Sequence, residues 1–134
     1  MGLNKLVEME FYAAIGVEPV SGIMPIVKIP DNAIIPREKL TLYLLTPQRK
    51  NDKSKFLAQA GFTQENPALL EEAIRELIAE NEAILDRQNE YGTFYRVAGE
   101  LYGPKGVLPA ITVWIQLTSN HRYRFVTLKP GKRS

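Results

Sequence analysis

The chain has 134 residues, 45% of them hydrophobic and 24% charged, which suits one ordinary folded domain and excludes disordered or collagen-like architectures. It has no cysteine and one histidine, so a disulfide framework, thiolate or multi-histidine metal sites and a cysteine nucleophile are excluded. The net charge of +2 hides a segregation: residues 1–63 carry eight Lys/Arg against six Asp/Glu, residues 64–100 three against nine, and residues 101–134 six against none. That last stretch, with Lys105, Arg122, Arg124, Lys129, Lys132 and Arg133, suits a phosphate backbone or an acidic protein surface. Its plainer reading is a set of solvated turn and tail charges.

In chain order, Leu6 to Ala13 alternates as a short half-buried strand would, with Val7, Met9, Phe11 and Ala13 on one parity. Gly16 to Pro25 is rich in breakers, so residues 1–23 read as an accessory arm that could pair with another copy of the chain. Ile26 to Ile29 is extended, and Asp31-Asn32 turns it. Pro36 opens a helix carrying Leu40, Tyr43 and Leu44 that stops at Thr46-Pro47. A second helix, Lys53 to Ala60, ends on Gly61, with Phe56 and Leu57 as its buried pair. Asn66-Pro67 starts a third, whose apolar face is Leu70, Ala73, Ile74, Leu77 and Ile78.

The pattern then changes to strands. Thr93 to Tyr102 and Val107 to Leu117 flank a Gly103-Pro104-Lys105-Gly106 hairpin turn, and Tyr123 to Leu128 forms the last strand. Ile84 to Gln88 is a fourth candidate. The expected fold is α+β: N-terminal helices packed on one face of a C-terminal antiparallel meander of three to four strands. In the best strand, Val107, Ile111, Val113, Ile115 and Leu117 share a face, and the helices are expected to cover it. Thr112, Trp114 and Gln116 would then lie on a half-polar, partly open face. The domain spans 24–130, followed by a flexible basic tail, 131–134. Glu8, Glu10 and Glu18 interrupt any signal-peptide core and no 18-residue apolar run exists, so no membrane association is expected and a cytoplasmic location is the default.

The series Lys39-Leu40-Thr41-Leu42-Tyr43-Leu44-Leu45, Ser54-Lys55-Phe56, Gly61-Phe62, Tyr91-Gly92, Gly103-Pro104-Lys105-Gly106, Thr112-Val113-Trp114 and Arg124-Phe125-Val126-Thr127 resembles an uncharacterised bacterial domain family of unknown function, met as small stand-alone proteins and toxin-like modules. The resemblance covers roughly Met24 to Pro130. That family's arrangement is in turn similar to the barnase, EndoU, colicin and RelE metafold of ribonucleases, an analogy of topology. It implies a metal-independent endoribonuclease of toxin type with no cofactor, in which side chains alone take the 2′-hydroxyl proton, hold the phosphate and protonate the leaving oxygen.

On that resemblance the catalytic candidates are Lys55, Tyr91 and Arg124, and the substrate-binding candidates are Thr112, Trp114 and Thr127. No residue is a metal candidate. Lys55 falls on the family's lysine position, Arg124 can hold a phosphate bidentately, Tyr91 can act as an acid or stack, and a half-exposed Trp114 can stack a base. Each has a plainer alternative: a solvated helix lysine, a paired strand arginine, a turn tyrosine, a packing tryptophan. Thr127 lies on the other parity from Arg124, so the two share a face only if a bulge intervenes. Arg96 reads as an ion-pair partner and His121 as an exposed turn residue. The expected partners are RNA, a cognate antitoxin or immunity protein, and a second copy through the arm. The alternative function is a non-catalytic protein-binding or dimerising module encoded with a partner.

Overall fold

A computed structural model describes residues 27–132. The 1–23 arm and its Leu6–Ala13 strand lie outside the described residues. The architecture is α+β. A π-helix, Lys39–Leu44, is followed by α1 (Ser54–Ala58) and α2 (Pro67–Glu80), and then by β1 (Ile84–Gln88), β2 (Gly92–Gly103), β3 (Gly106–Leu117) and β4 (Tyr123–Pro130). The four strands form one antiparallel sheet in sequential order. No helix of the described residues is long and apolar enough to cross a membrane.

Helix α2 forms where the 3.6-residue spacing predicts, with Pro67 in its first turn. Its five apolar residues, Leu70, Ala73, Ile74, Leu77 and Ile78, are all buried. Asn66 does not cap the helix through its side chain. Its amide instead fastens the preceding loop, accepting from the Thr63 N–H at 2.8 Å and donating to the Gly61 carbonyl at 3.0 Å. Gly61 itself sits at φ +90°, the left-handed conformation that makes glycine the residue to end α1. Helix α2 crosses β2 at Gly99, where a Cβ would collide with Asn81 and Leu77.

The helices cover the even-numbered face of β3, which corrects the expectation from sequence. Leu108, Ala110, Thr112 and Trp114 are buried, and across the β2 ladder Val97 and Leu101 join them. Val107, Ile111 and Val113 lie on the face that no described helix covers, where Ile115 alone of that set is buried. Two features decide this. Trp114 and Leu108 supply large apolar surface, and the polar groups on this face satisfy one another. Trp114 Nε1 donates to Thr112 Oγ1 at 2.8 Å, which donates to the Val97 carbonyl at 3.0 Å, so the burial strands no donor. Trp114 also meets Phe125 edge to face, ring centroids 5.3 Å apart.

Beyond the end of β4, Gly131 donates its N–H to the Pro109 carbonyl at 2.8 Å. Two further contacts tie the first described residues to the rest. Val27 bridges Ala83, and Ile34 bridges β4, accepting from the Phe125 N–H and donating to the Tyr123 carbonyl, both at 2.8 Å.

Candidate functional site

The Ile34 bridge sets the course of the next segment of chain. With residue 34 pinned beside Arg124, the helix beginning at Arg37 runs next to the outer side of β4. Its turns are π rather than α, with the Leu45 N–H bonded to the carbonyl of Leu40. The wide turn directs Leu40 and Leu44 into the core and leaves Leu42 and Tyr43 outside, Tyr43 62% exposed. This corrects the helical spacing, which places Tyr43 with the apolar set. π-Turns are rare and concentrate at functional sites.

On β4 the register against β3 slips by one residue between Phe125 and Thr127, so that Trp114 faces Phe125 while Val113 faces Thr127. Val126 is the extra residue of this bulge. Because Val113 and Ile115 share a parity, their partners Thr127 and Arg124 do too. The bulge therefore brings to one face two residues that simple alternation separates. It also leaves the Val126 carbonyl to be satisfied from outside the ladder. Lys39 does this, donating from Nζ at 2.8 Å.

Lys39, Tyr43, Leu44, Val126 and Thr127 line a shallow cleft of about 390 Å³. Arg124 lies close enough to act on Lys39 electrostatically. Burial, and secondarily the Arg124 charge, hold the Lys39 ammonium below its ordinary pKa. Among the described residues, neither cation forms an ion pair, and the Arg124 guanidinium makes no hydrogen bond. Two like charges kept together without a carboxylate are costly to fold, and such arrangements mark candidate anion sites. Among the described residues no three His, Cys, Asp or Glu side chains gather as a metal site would require.

The residues expected from sequence divide. Thr127 lines the cleft, and Arg124 lies within electrostatic reach of its lysine. Lys55 is not among the lining residues. It lies in α1, whose following residues pack on the Gly103–Gly106 turn: Ala60 accepts the Lys105 N–H at 2.9 Å, and Gly61 abuts Pro104. Tyr91 lies at the opposite end, its carbonyl accepting the Thr118 N–H at 3.0 Å. The two ends are separated by the length of β2, 12 residues or about 35–40 Å. Tyr91 is exposed and shares its end of the sheet with Arg124, with β3 between them. Thr112 and Trp114 are 0% exposed and bonded to each other. The half-open face expected for them is corrected, since a ring with both sides in the core offers none to a base. Arg96 pairs with Asp86 at 3.7 Å, and His121 is an exposed turn residue at φ 60°.

Lys39 and Tyr43 are the residues that sequence reasoning misses. Both stand in the first motif that carries the family resemblance, but a lysine at a helix start reads as solvated, and its partner carbonyl lies 87 residues away.

A family model described as a domain of unknown function (DUF6883) matches residues 28–132. No match was found among curated proteins. Among solved structures, one chain of a contact-dependent growth inhibition toxin–immunity protein complex from Klebsiella pneumoniae 342 is similar at a TM-score of 0.59 and 16% identity, over 74% of this chain and 100% of that one. At that identity the likeness is one of fold.

Proposed function

We propose, for a chain that belongs to the DUF6883 family of unknown function, that it is the toxin member of a toxin–immunity pair and acts as an endoribonuclease at the Lys39–Arg124 cleft. The observation that carries this reading is the cation pair itself, held beside the β4 bulge with no compensating carboxylate among the described residues. The fold likeness to a chain of a toxin–immunity complex supports the toxin-system part.

The chemistry comes from the groups present. Arg124, with no bond to its guanidinium among the described residues, can take two oxygens of the scissile phosphate, and Lys39 has two ammonium protons left after its bond to Val126. Together they stabilise the extra negative charge that develops on phosphorus when the 2′-oxygen attacks. The lowered pKa of Lys39 favours proton exchange with the reacting oxygens. The 2′-hydroxyl gives its proton to water, the 2′-O–P bond forms as the P–5′-O bond breaks, and the 5′-oxygen takes a proton from the Lys39 ammonium, which water then restores. The products are a 2′,3′-cyclic phosphate and a 5′-hydroxyl.

The test is 5′-end mapping on RNA treated with the purified chain, with Lys39→Ala and Arg124→Ala alongside. New 5′-hydroxyl ends that both substitutions abolish are expected. Their absence with the unsubstituted chain, on naked RNA and in a translating lysate alike, overturns the reading.

One observation favours a second reading, a protein-binding module. The sheet face that no described helix covers has a groove of about 790 Å³ lined by Ala98, Glu100, Ile111, Lys129 and Lys132 among others, continuous with the part-exposed Val113. A partner protein bound there, with no RNA cleavage, is the outcome that selects it.

A further inference from the structure

We infer that the cleft takes unpaired RNA, with the Tyr43 ring as the platform on which a base beside the bound phosphate stacks. This rests on the ribonuclease reading of the Lys39–Arg124 cleft and names its substrate class.

Three observations carry it. Tyr43 lines the same cleft as Lys39, four residues along the same π-helix, so a nucleotide whose phosphate meets Lys39 has this ring within its own span. The ring is 62% exposed and takes part in no ring–ring or cation–π contact within the described residues, so at least one face is free. An exposed aromatic next to uncompensated cations is the combination by which proteins hold single strands: the cations track the backbone and the ring accepts any base. In a duplex the bases are already stacked and paired, and a ring set beside the phosphate-binding groups cannot reach their faces.

The local chain extends the path. Gln48 donates from its side chain to the carbonyls of Leu42 at 3.2 Å and Thr46 at 3.1 Å, folding the Gln48–Asp52 loop back against the end of the π-helix. Its Asp52 carboxylate is engaged inside the loop, accepting from the Gln48 N–H at 2.9 Å and the Ser54 hydroxyl at 2.8 Å. The exposed Arg49 and Lys50 of the same loop are thus left to meet a neighbouring phosphate beyond Tyr43.

The experiment separates binding from cleavage by using a 2′-O-methyl oligonucleotide, which has no 2′-hydroxyl and cannot be cut by this chemistry. A single-stranded 10-mer, about the span of one single-strand site, carries 2-aminopurine, whose fluorescence falls on stacking. Quenching is expected with the unsubstituted chain, with Tyr43→Phe and with Tyr43→Trp. In Tyr43→Ala the quenching should disappear and Kd should rise roughly tenfold, with the thermal midpoint unchanged because the ring is exposed. The same sequence as a duplex should bind at least about tenfold more weakly. Equal binding of duplex and single strand, or unchanged quenching in Tyr43→Ala, overturns the inference. Binding of neither form overturns it too. If the single strand binds with Tyr43-dependent quenching but cleavable RNA stays intact, the stacking inference stands and the ribonuclease reading falls.

Discussion

Lys39 Nζ lies 2.8 Å from the Val126 carbonyl, so the ammonium closes the gap that a β4 bulge opens in the sheet. The same ammonium lies within electrostatic reach of Arg124. The charged form makes the stronger bond to the carbonyl, while burial and the neighbouring guanidinium favour the neutral form, so the two effects compete.

That competition has a pH signature. The folded-state pKa of Lys39 is below its ordinary 10.5, so the charged form carries a cost in the folded state at neutral pH. Between the lowered pKa and 10.5 the unfolded chain holds more protons than the folded one, and this group makes stability rise with pH there. Tyr123, raised mainly by burial, acts in the opposite sense in the alkaline range, so the global curve is a poor readout. The Lys39 Nζ resonance followed by NMR titration is direct. In Arg124→Gln its pKa should move up toward 10.5; an unmoved value means that Arg124 does not act on it.

Activity should track the cleft. Arg124→Ala should reduce kcat/KM by about a hundredfold or more, the usual scale for losing a charge that stabilises the transition state. Arg124→Lys should recover only part of this, because the fork geometry is lost. Lys55→Ala should leave cleavage within about threefold, as expected of an exposed side chain that does not line the cleft. A Lys55→Ala loss as large as that of Arg124→Ala would contradict the cleft assignment.

The two glycines of the β2–β3 turn should respond very differently to alanine. At Gly103 a Cβ would run into the Ala60 carbonyl, backbone that cannot swing aside, whereas at Gly106 the nearest atom is 4.0 Å away. Gly103→Ala should cost about 1–3 kcal/mol, and Gly106→Ala should stay within about 0.5 kcal/mol, both read from urea unfolding midpoints.

Thr112→Val keeps the shape of the core but deletes the hydroxyl that accepts from Trp114 and donates to Val97. The buried indole N–H is then unpartnered. A loss of about 1–3 kcal/mol is expected, and Thr112→Ser should recover part of it. A neutral Thr112→Val would show that the Trp114–Thr112 bond contributes little.

The elements with a single period in their sequence are the legible ones. The apolar stripe of α2 points one way only, so Leu70 through Ile78 identify both the helix and its buried face. In β3 both parities are largely apolar, and counting residues favours Val107, Ile111 and Val113 over the face that is buried. What reverses the choice is the bulk of Trp114 and Leu108 together with the bond between Trp114 and Thr112, a geometric match that alternation does not encode. Arg124 and Thr127 stand out together in the sequence, but a period of two keeps them on opposite faces; the Val126 bulge has no sequence marker of its own. The cleft's lysine is hidden because Lys39 reaches its role only through a contact 87 residues away.

The neighbours in the sheet are also neighbours in sequence, so its three hairpins can form by local closure. The cleft cannot, since both Ile34 on β4 and Lys39 on Val126 close loops that span most of the described chain. The sheet can therefore form before the cleft does, and because Leu40 and Leu44 are buried in the core, docking of residues 34–44 completes the core and the cleft in one step.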